Sequence, residues 1–330
     1  MSRNTSTSCR DGPSLPAGVL LMGAVRDLVG RYVELVVVAA AAVLGLTVQA
    51  PLVRVAGDTG IDVLLAVLVF ATAVTIRPAA LWQLPTVWRN MLAALVAGVS
   101  ILPLLSWMVS RLVAAGSLRD GIMTVGLAPC EIASVATTSM AAGDAAVSAG
   151  SLIGSTAATI ALAGPLLTLE TGHSSVHQGQ VALNLTLVVV LPLVAGLLVG
   201  KAPPVRSRTS IADTVATLSV AGLVAFIAAH VHLSIRYLAV AAALVVFLAG
   251  SVGLGELLGR GTDRASGTAF LLTTSMRDFA IAAAIAAQAF GPAAAAPLGI
   301  YGILVLVWGT AAAGYLRSRS ARRTPGAGRR

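Results

Sequence analysis

The chain has 330 residues, of which 57% are hydrophobic and 11% are charged, and its mean hydropathy is +0.91. Soluble domains carry about 25% charged residues, so this composition excludes an ordinary soluble protein and predicts a polytopic membrane protein. The net charge of +9 does not indicate nucleic-acid binding, because the basic residues lie mainly in the C-terminal tail and in short connections between apolar runs. That distribution is a topology signal, and the expected surroundings of the chain are a lipid bilayer.

Ten apolar segments follow one another, and each is near the roughly 20 residues that a membrane-spanning helix needs. Segments one to five cover about 33–50, 61–76 and 91–110, a segment that starts near 121 and breaks at Pro129, and about 145–169. Segments six to ten cover about 181–200, 211–230, 237–258, 268–290 with a break at 275–278, and 295–315. Segment two is short, so nine or eleven spans are the alternative counts.

The basic residues predict the orientation of these segments. Residues 1–30 are a predicted cytoplasmic leader, 31–316 the transmembrane domain, and 317–330 a basic cytoplasmic tail. With ten spans, 17 of the 22 Lys and Arg residues fall on the side of the termini and four on the opposite side, while Arg277 lies within segment nine. Lys and Arg accumulate on the cytoplasmic side. The sequence therefore predicts a multi-pass plasma-membrane protein with both termini in the cytoplasm.

Both halves of the domain, 31–170 and 181–316, carry a break in their fourth segment. Five spans per half imply that the second half enters the membrane inverted relative to the first. Pro129 removes a backbone donor, Glu131 places a carboxylate near the middle of segment four, and Arg277 lies at the matching break. Matching broken helices in inverted halves are typical of a midplane transport site, and charges at that depth are functional by default. The alternative is a simple kink with structural pairing of the charges.

The predicted site combines acids, a guanidinium and hydroxyl groups around both breaks. Its substrate- or ion-binding residues are Glu131, Ser134, Thr138, Ser148, Thr273, Thr274, Ser275, Arg277 and Asp278, and its helix break is Pro129 and Cys130. The acids can pair with Arg277, carry protons or help to bind a cation, and Arg277 can instead attract a substrate anion. For the hydroxyl groups, the alternative is hydrogen bonding between helices.

The sequence predicts no disulfide framework and no metal site. Cys9 lies in the polar leader, whereas Cys130 lies within the membrane, where it is either a small buried filler or a soft ligand. Four histidines lie at segment ends or in a loop without a third ligand nearby: His173, His177, His230 and His232. No phosphate-binding or hydrolase motif occurs in a usable context. We therefore expect no catalytic residues and no cofactor, with Na⁺ or H⁺ as the coupling ion.

Three stretches carry a family pattern: A-P-C-E-I-A-S-V-A-T-T-S-M-A-A-G-D-A-A-V-S at 128–148, M-R-D-F-A-I-A-A-A-I-A-A-Q-A-F at 276–290, and Leu102-Pro103. In them the chain resembles the bile acid:sodium symporter family, within a larger group that includes arsenite efflux carriers. The resemblance implies an all-α membrane fold of ten transmembrane helices in two inverted five-helix repeats, with two discontinuous, crossing helices. A panel of segments one, two, six and seven would flank a core formed by the others. Sodium-coupled uptake of organic anions is the implied activity.

Most sodium ligands that the resemblance implies are absent from this chain. Ser134 and Ser148 stand where sodium-coordinating hydroxyls are expected. The other expected ligands fall at Val135, Leu152, Thr273 and Arg277, and near Gly98. Val and Leu carry no side-chain oxygen, and a guanidinium repels a cation. The resemblance therefore predicts the fold better than it predicts sodium coupling.

These observations lead to three hypotheses about function. The first is a secondary active transporter that moves a small organic anion by alternating access, coupled to sodium or to protons through Glu131 and Asp278. The second is an arsenite-type efflux carrier that uses Cys130, because a thiolate suits a soft trivalent arsenic species. The third is a membrane sensor or enzyme, although the sequence shows no added soluble domain or water-facing catalytic cluster. These patterns do not specify substrate identity, transport direction or oligomeric state.

Overall fold

The computed structural model describes residues 36–49, 60–75, 84–171, 178–200, 209–229 and 234–322. Within these ranges 89% of the residues are helical and no strand occurs. The predicted leader, the end of the basic tail and the four histidines lie outside the described residues. The predicted all-α class is therefore confirmed for the part of the chain that is described.

Helices occupy each of the ten predicted segments. In the first half they are α1 (Val36–Thr47), α2 (Gly60–Thr75), α3 (Leu84–Ser110), α4 (Ser117–Leu127), α5 (Ala133–Met140) and α6 (Ala145–Thr171). In the second half they are α7 (178–199), α8 (Thr209–Ala229), α9 (Arg236–Gly259), α10 (Arg264–Ser275), α11 (Phe279–Phe290) and α12 (Ala296–Arg322). The predicted breaks are present, because segment four divides into α4 and α5, and segment nine into α10 and α11.

Six helices in the described ranges are long and apolar enough to cross a membrane. Their spans are Met91–Ser110, Ala145–Glu170, Ala182–Val199, Ser210–Ala229, Arg236–Gly259 and Pro292–Arg319. Three shorter apolar helices are Val36–Thr47, Gly60–Thr75 and Phe279–Phe290. The chain is therefore a multi-pass membrane protein, while ten spans in two inverted repeats stay a prediction.

Two helix boundaries and the interior of one helix differ from the sequence expectation. The third helix, α3, begins at Leu84 rather than near residue 91, so part of the amphipathic connection is helical. The last helix, α12, continues to Arg322, and arginines near a helix C-terminus favour this extension through the helix dipole. A π-helical turn at Thr186–Val190 interrupts α7 just before Pro192. Proline clashes with the carbonyl one turn earlier and has no N–H to donate, which explains the wider turn.

The helices pack in two groups. One contains α2, which packs against both α7 and α8, together with α1, whose Gly45 approaches the backbone of Ala225 in α8. In the other group α3 contacts α4, α6 and α9, while α4 packs against α11 and α5 against α10. Between the groups, Gln288 Nε2 donates a hydrogen bond to Asp62 Oδ1 at 3.3 Å. Small residues at the helix contacts permit these close approaches.

We expect Gly126→Ala to destabilise the contact between α3 and α4. A Cβ at Gly126 would overlap the Ser106 hydroxyl and the Leu102 carbonyl oxygen, so one helix must shift. Overpacking of this kind costs about 1–3 kcal/mol. Gly253→Ala in α9 is the matched control, because a Cβ there meets open space. Thermal unfolding in detergent should show a lower melting temperature for Gly126→Ala alone, and equal melting temperatures would contradict this packing.

Candidate functional site

The two helix breaks contact each other through their backbones. The N–H of Glu131 donates to the Met276 carbonyl at 2.8 Å, and the N–H of Asp278 donates to the Pro129 carbonyl at 2.9 Å. Cys130 is thereby paired with the residue at 277 in a short antiparallel bridge. The bilayer core contains no water to bond the unpaired N–H and C=O groups of a broken helix. Each break instead supplies backbone hydrogen-bond partners to the other. We call this contact the crossing.

Hydroxyl groups of α6 form hydrogen bonds with other backbone groups of the first break. The N–H of Cys130 donates to Ser155 Oγ at 3.1 Å, and Thr159 Oγ1 donates to the Leu127 carbonyl at 2.8 Å. The Cys130 thiol is buried and accepts a hydrogen bond from Ser155 at 3.5 Å. These hydroxyls thus form hydrogen bonds between helices. A soft-ligand role for Cys130 stays a prediction.

Two aromatic residues of α12 form hydrogen bonds with the second break. The hydroxyl of Tyr301 accepts from the N–H of Arg277 and donates to the Ser275 carbonyl, both at 3.3 Å. Trp308 Nε1 donates to Ser275 Oγ at 2.8 Å. Sequence reasoning missed both aromatic residues. A tyrosine in the middle of an apolar span is a usable signal, because membrane tyrosines concentrate at the interfaces.

The carboxylate of Asp278 caps the N-terminus of α11. Its Oδ1 accepts from the N–H groups of Ala280 at 3.0 Å and Ile281 at 2.9 Å, and the residue is 1% exposed. A carboxylate at this position satisfies free donors and complements the positive end of the helix dipole. Asp263 caps α10 in the same way outside the membrane spans, where hydrogen bonds from the Ser266 side chain and backbone hold its pKa below the usual value. Asp278 therefore has a structural role whatever its part in coupling.

Arg277 extends from the crossing toward α4 and α3. The residue is 4% exposed, and its guanidinium donates to the Ala128 carbonyl at the end of α4. The backbone bridge joins the first break at Glu131 to the second break at Arg277 and Asp278, and all three residues are buried. The three charged residues predicted from the sequence are therefore brought to one buried place.

Three predicted hydroxyl residues lie between α5 and α6. Thr138 Oγ1 donates to Ser148 Oγ at 3.3 Å, and the Ser134 hydroxyl lies beside the Cys130 thiol. All three are buried. Thr138 therefore links α5 to Ser148, which is one of the two hydroxyls expected to bind sodium.

The remaining predicted residues form the last turn of α10. Thr273 Oγ1 donates back to the Ala269 carbonyl at 2.8 Å, and Ser275 Oγ donates to the Leu271 carbonyl at 2.6 Å. Thr274 is buried beside them. Within the described ranges, no group of three or more His, Cys, Asp or Glu side chains is placed to hold a metal ion.

Comparison with known families identifies the kind of protein that contains this site. Residues 62–241, more than half of the chain, match the model of the Sodium Bile acid symporter family. The chain belongs to this family. Its members are transporters, and the resemblance seen in the sequence is thereby confirmed. No match was found among curated proteins. The matched residues include the first break and end before the second, so Arg277 and Asp278 lie outside the matched region.

We expect Asp278→Ala to destabilise this transporter more than Asp278→Asn. Alanine removes the acceptor for the N–H groups of Ala280 and Ile281, whereas asparagine caps a helix about as well as aspartate. Loss of such a cap costs about 0.5–2 kcal/mol. The measurement is thermal unfolding of both variants in the same detergent. Equal losses of melting temperature would show that the negative charge, and not the cap, stabilises this break.

Proposed function

We propose that this family member is a secondary active transporter that moves a small organic anion across the plasma membrane by alternating access. In this proposal both termini are cytoplasmic, and transport is coupled to a gradient of sodium or of protons. The observation that carries the proposal is the crossing, where two broken helices join and bury Glu131, Arg277 and Asp278. Broken helices that meet at membrane depth are where secondary transporters bind their substrates and coupling ions.

The electrostatics of the crossing support an anionic substrate. Both α5 and α11 begin there, so the positive ends of two helix dipoles point toward it. The N-terminus of α11 is capped by Asp278, whereas that of α5 has no side-chain cap. The uncapped α5 end therefore offers an anion the positive end of a helix dipole, beside the Glu131 and Asp278 acids that the proposal assigns to coupling.

The test is uptake into proteoliposomes under one gradient at a time. A panel of radiolabelled organic acids is supplied with an inward sodium gradient at equal pH, or with an acidic exterior and no sodium. We expect at least one acid to accumulate under one of the two gradients, and its accumulation to disappear when an ionophore collapses that gradient. Absence of uptake under both gradients across the panel would reject the proposed function.

Proton coupling predicts a specific loss in Glu131→Gln. This substitution removes a titratable carboxyl at the crossing while keeping the size of the side chain. Proton-driven accumulation should be lost, whereas exchange of labelled for unlabelled substrate, which needs no net proton movement, should remain. Glu256→Gln is the matched control, because Glu256 is exposed on α9. If Glu131→Gln accumulates substrate as the wild type does, Glu131 does not carry the coupling proton.

A further inference from the structure

We propose that the guanidinium of Arg277 is a tethered cation that takes the place of a metal cation at the crossing, so that no sodium ion binds there. The idea deepens the proposed function, since it concerns how the transport site is charged. Its structural part is independent of transport and can be tested without a substrate.

The guanidinium lies at the negative end of a broken helix. It donates to the Ala128 carbonyl just beyond α4, where the last carbonyls of a helix have no partners of their own. The C-terminal end of α10 reaches the crossing as well, through the Ser275 and Met276 carbonyls. Ends of half-helices and unwound carbonyls are the places where transporters hold coupling cations. Here the chain itself supplies the positive charge.

The space beside the guanidinium is unsuited to a second cation. Gly98 of α3 faces it, and a Cβ at this glycine would lie 3.6 Å from Nη1. The adjoining crevice is lined mainly by apolar residues of α3, α4 and α6, and the room inside it is about 10 Å³, the space of roughly one water molecule. A sodium ion in it would sit next to a fixed positive charge in a medium of low dielectric, where repulsion is strong. The residues at this position therefore do not fit a sodium ion.

The same dimensions argue against a substrate anion at the guanidinium in this conformation. An organic anion needs a cavity of hundreds of cubic ångströms, far above the roughly 10 Å³ of the crevice. Arg277 is also 4% exposed, and the next residue in the chain, Asp278, carries the opposite charge. The guanidinium donates to the carbonyl end of α4. Among the described residues, its Nε has no hydrogen-bond partner, so one of its N–H groups stays available.

The first experiment replaces the tethered cation by a free one. Arg277→Ala leaves the Ala128 carbonyl without its donor and opens a space for guanidinium or sodium. Melting temperatures are measured in detergent during titration with millimolar guanidinium or sodium chloride, with choline chloride as the control for ionic strength. A tenfold excess of guanidinium over its Kd should raise the melting temperature of Arg277→Ala by roughly 3 °C. The wild-type protein should not respond to guanidinium.

Arg111→Ala is the matched control variant. Its guanidinium is exposed and lies over the Trp107 ring at 4.6 Å, so no buried carbonyl loses a donor and no stabilisation by guanidinium is expected. Arg277→Lys keeps the charge and should need no added cation. If Arg277→Ala does not fold, Arg277→Gln is tested by its yield of folded protein with and without guanidinium. The proposal would be overturned if guanidinium neither raised the melting temperature of Arg277→Ala nor increased the yield of folded Arg277→Gln.

Uptake separates this proposal from the proposed function. If the wild type accumulates an organic acid, Arg277→Ala should lose that accumulation and recover it with guanidinium or sodium. Recovery only at raised substrate concentration, with no effect of either cation, would instead identify Arg277 as a substrate ligand and overturn the tethered cation. If the wild type transports nothing on the panel, the proposed function fails, while the melting-temperature titration still decides whether Arg277 replaces a bound cation.

Discussion

Two backbone hydrogen bonds between residues 129–131 and 276–278 make both helix breaks possible. An unpaired backbone group in the bilayer core costs several kcal/mol, so neither break would be stable alone. Each supplies a donor and an acceptor to the other across a long separation in sequence. The other partners are arranged around this pair, with hydroxyls of α6 on the first break and Tyr301 of α12 on the second. The crossing is therefore a property of the whole bundle and not of either half.

Adjacent opposite charges at the second break have separate partners. Arg277 reaches the carbonyl end of α4, whereas Asp278 turns to the N–H end of α11. A cation at a helix C-terminus and an anion at an N-terminus are both favourable arrangements. The two residues thus stabilise two different half-helices. This is how a sequence that places Arg next to Asp at membrane depth is accommodated without relying on a direct pair between them.

Much of the fold could be predicted because hydropathy and helix breaking are local properties. Apolar runs indicated where the helices lie, and Pro129 together with the charges at 277 and 278 indicated both breaks. What the sequence did not indicate depends on contacts between distant residues. Tyr301 and Trp308 bond to α10 only because α12 packs there. For Asp278, the sequence suggested ion pairing, proton transfer or cation binding. It did not indicate that the carboxylate caps α11.

The bridge between the breaks consists entirely of main-chain atoms. Evolution can therefore rewrite the side chains at 130 and 277 by single codon changes while the skeleton of the crossing stays intact. Related proteins with this backbone can therefore differ in the charge at the crossing, which either a bound cation or a charged side chain can supply. Proline is the exception at 131 and 278, since each of these positions must contribute an N–H to the other half.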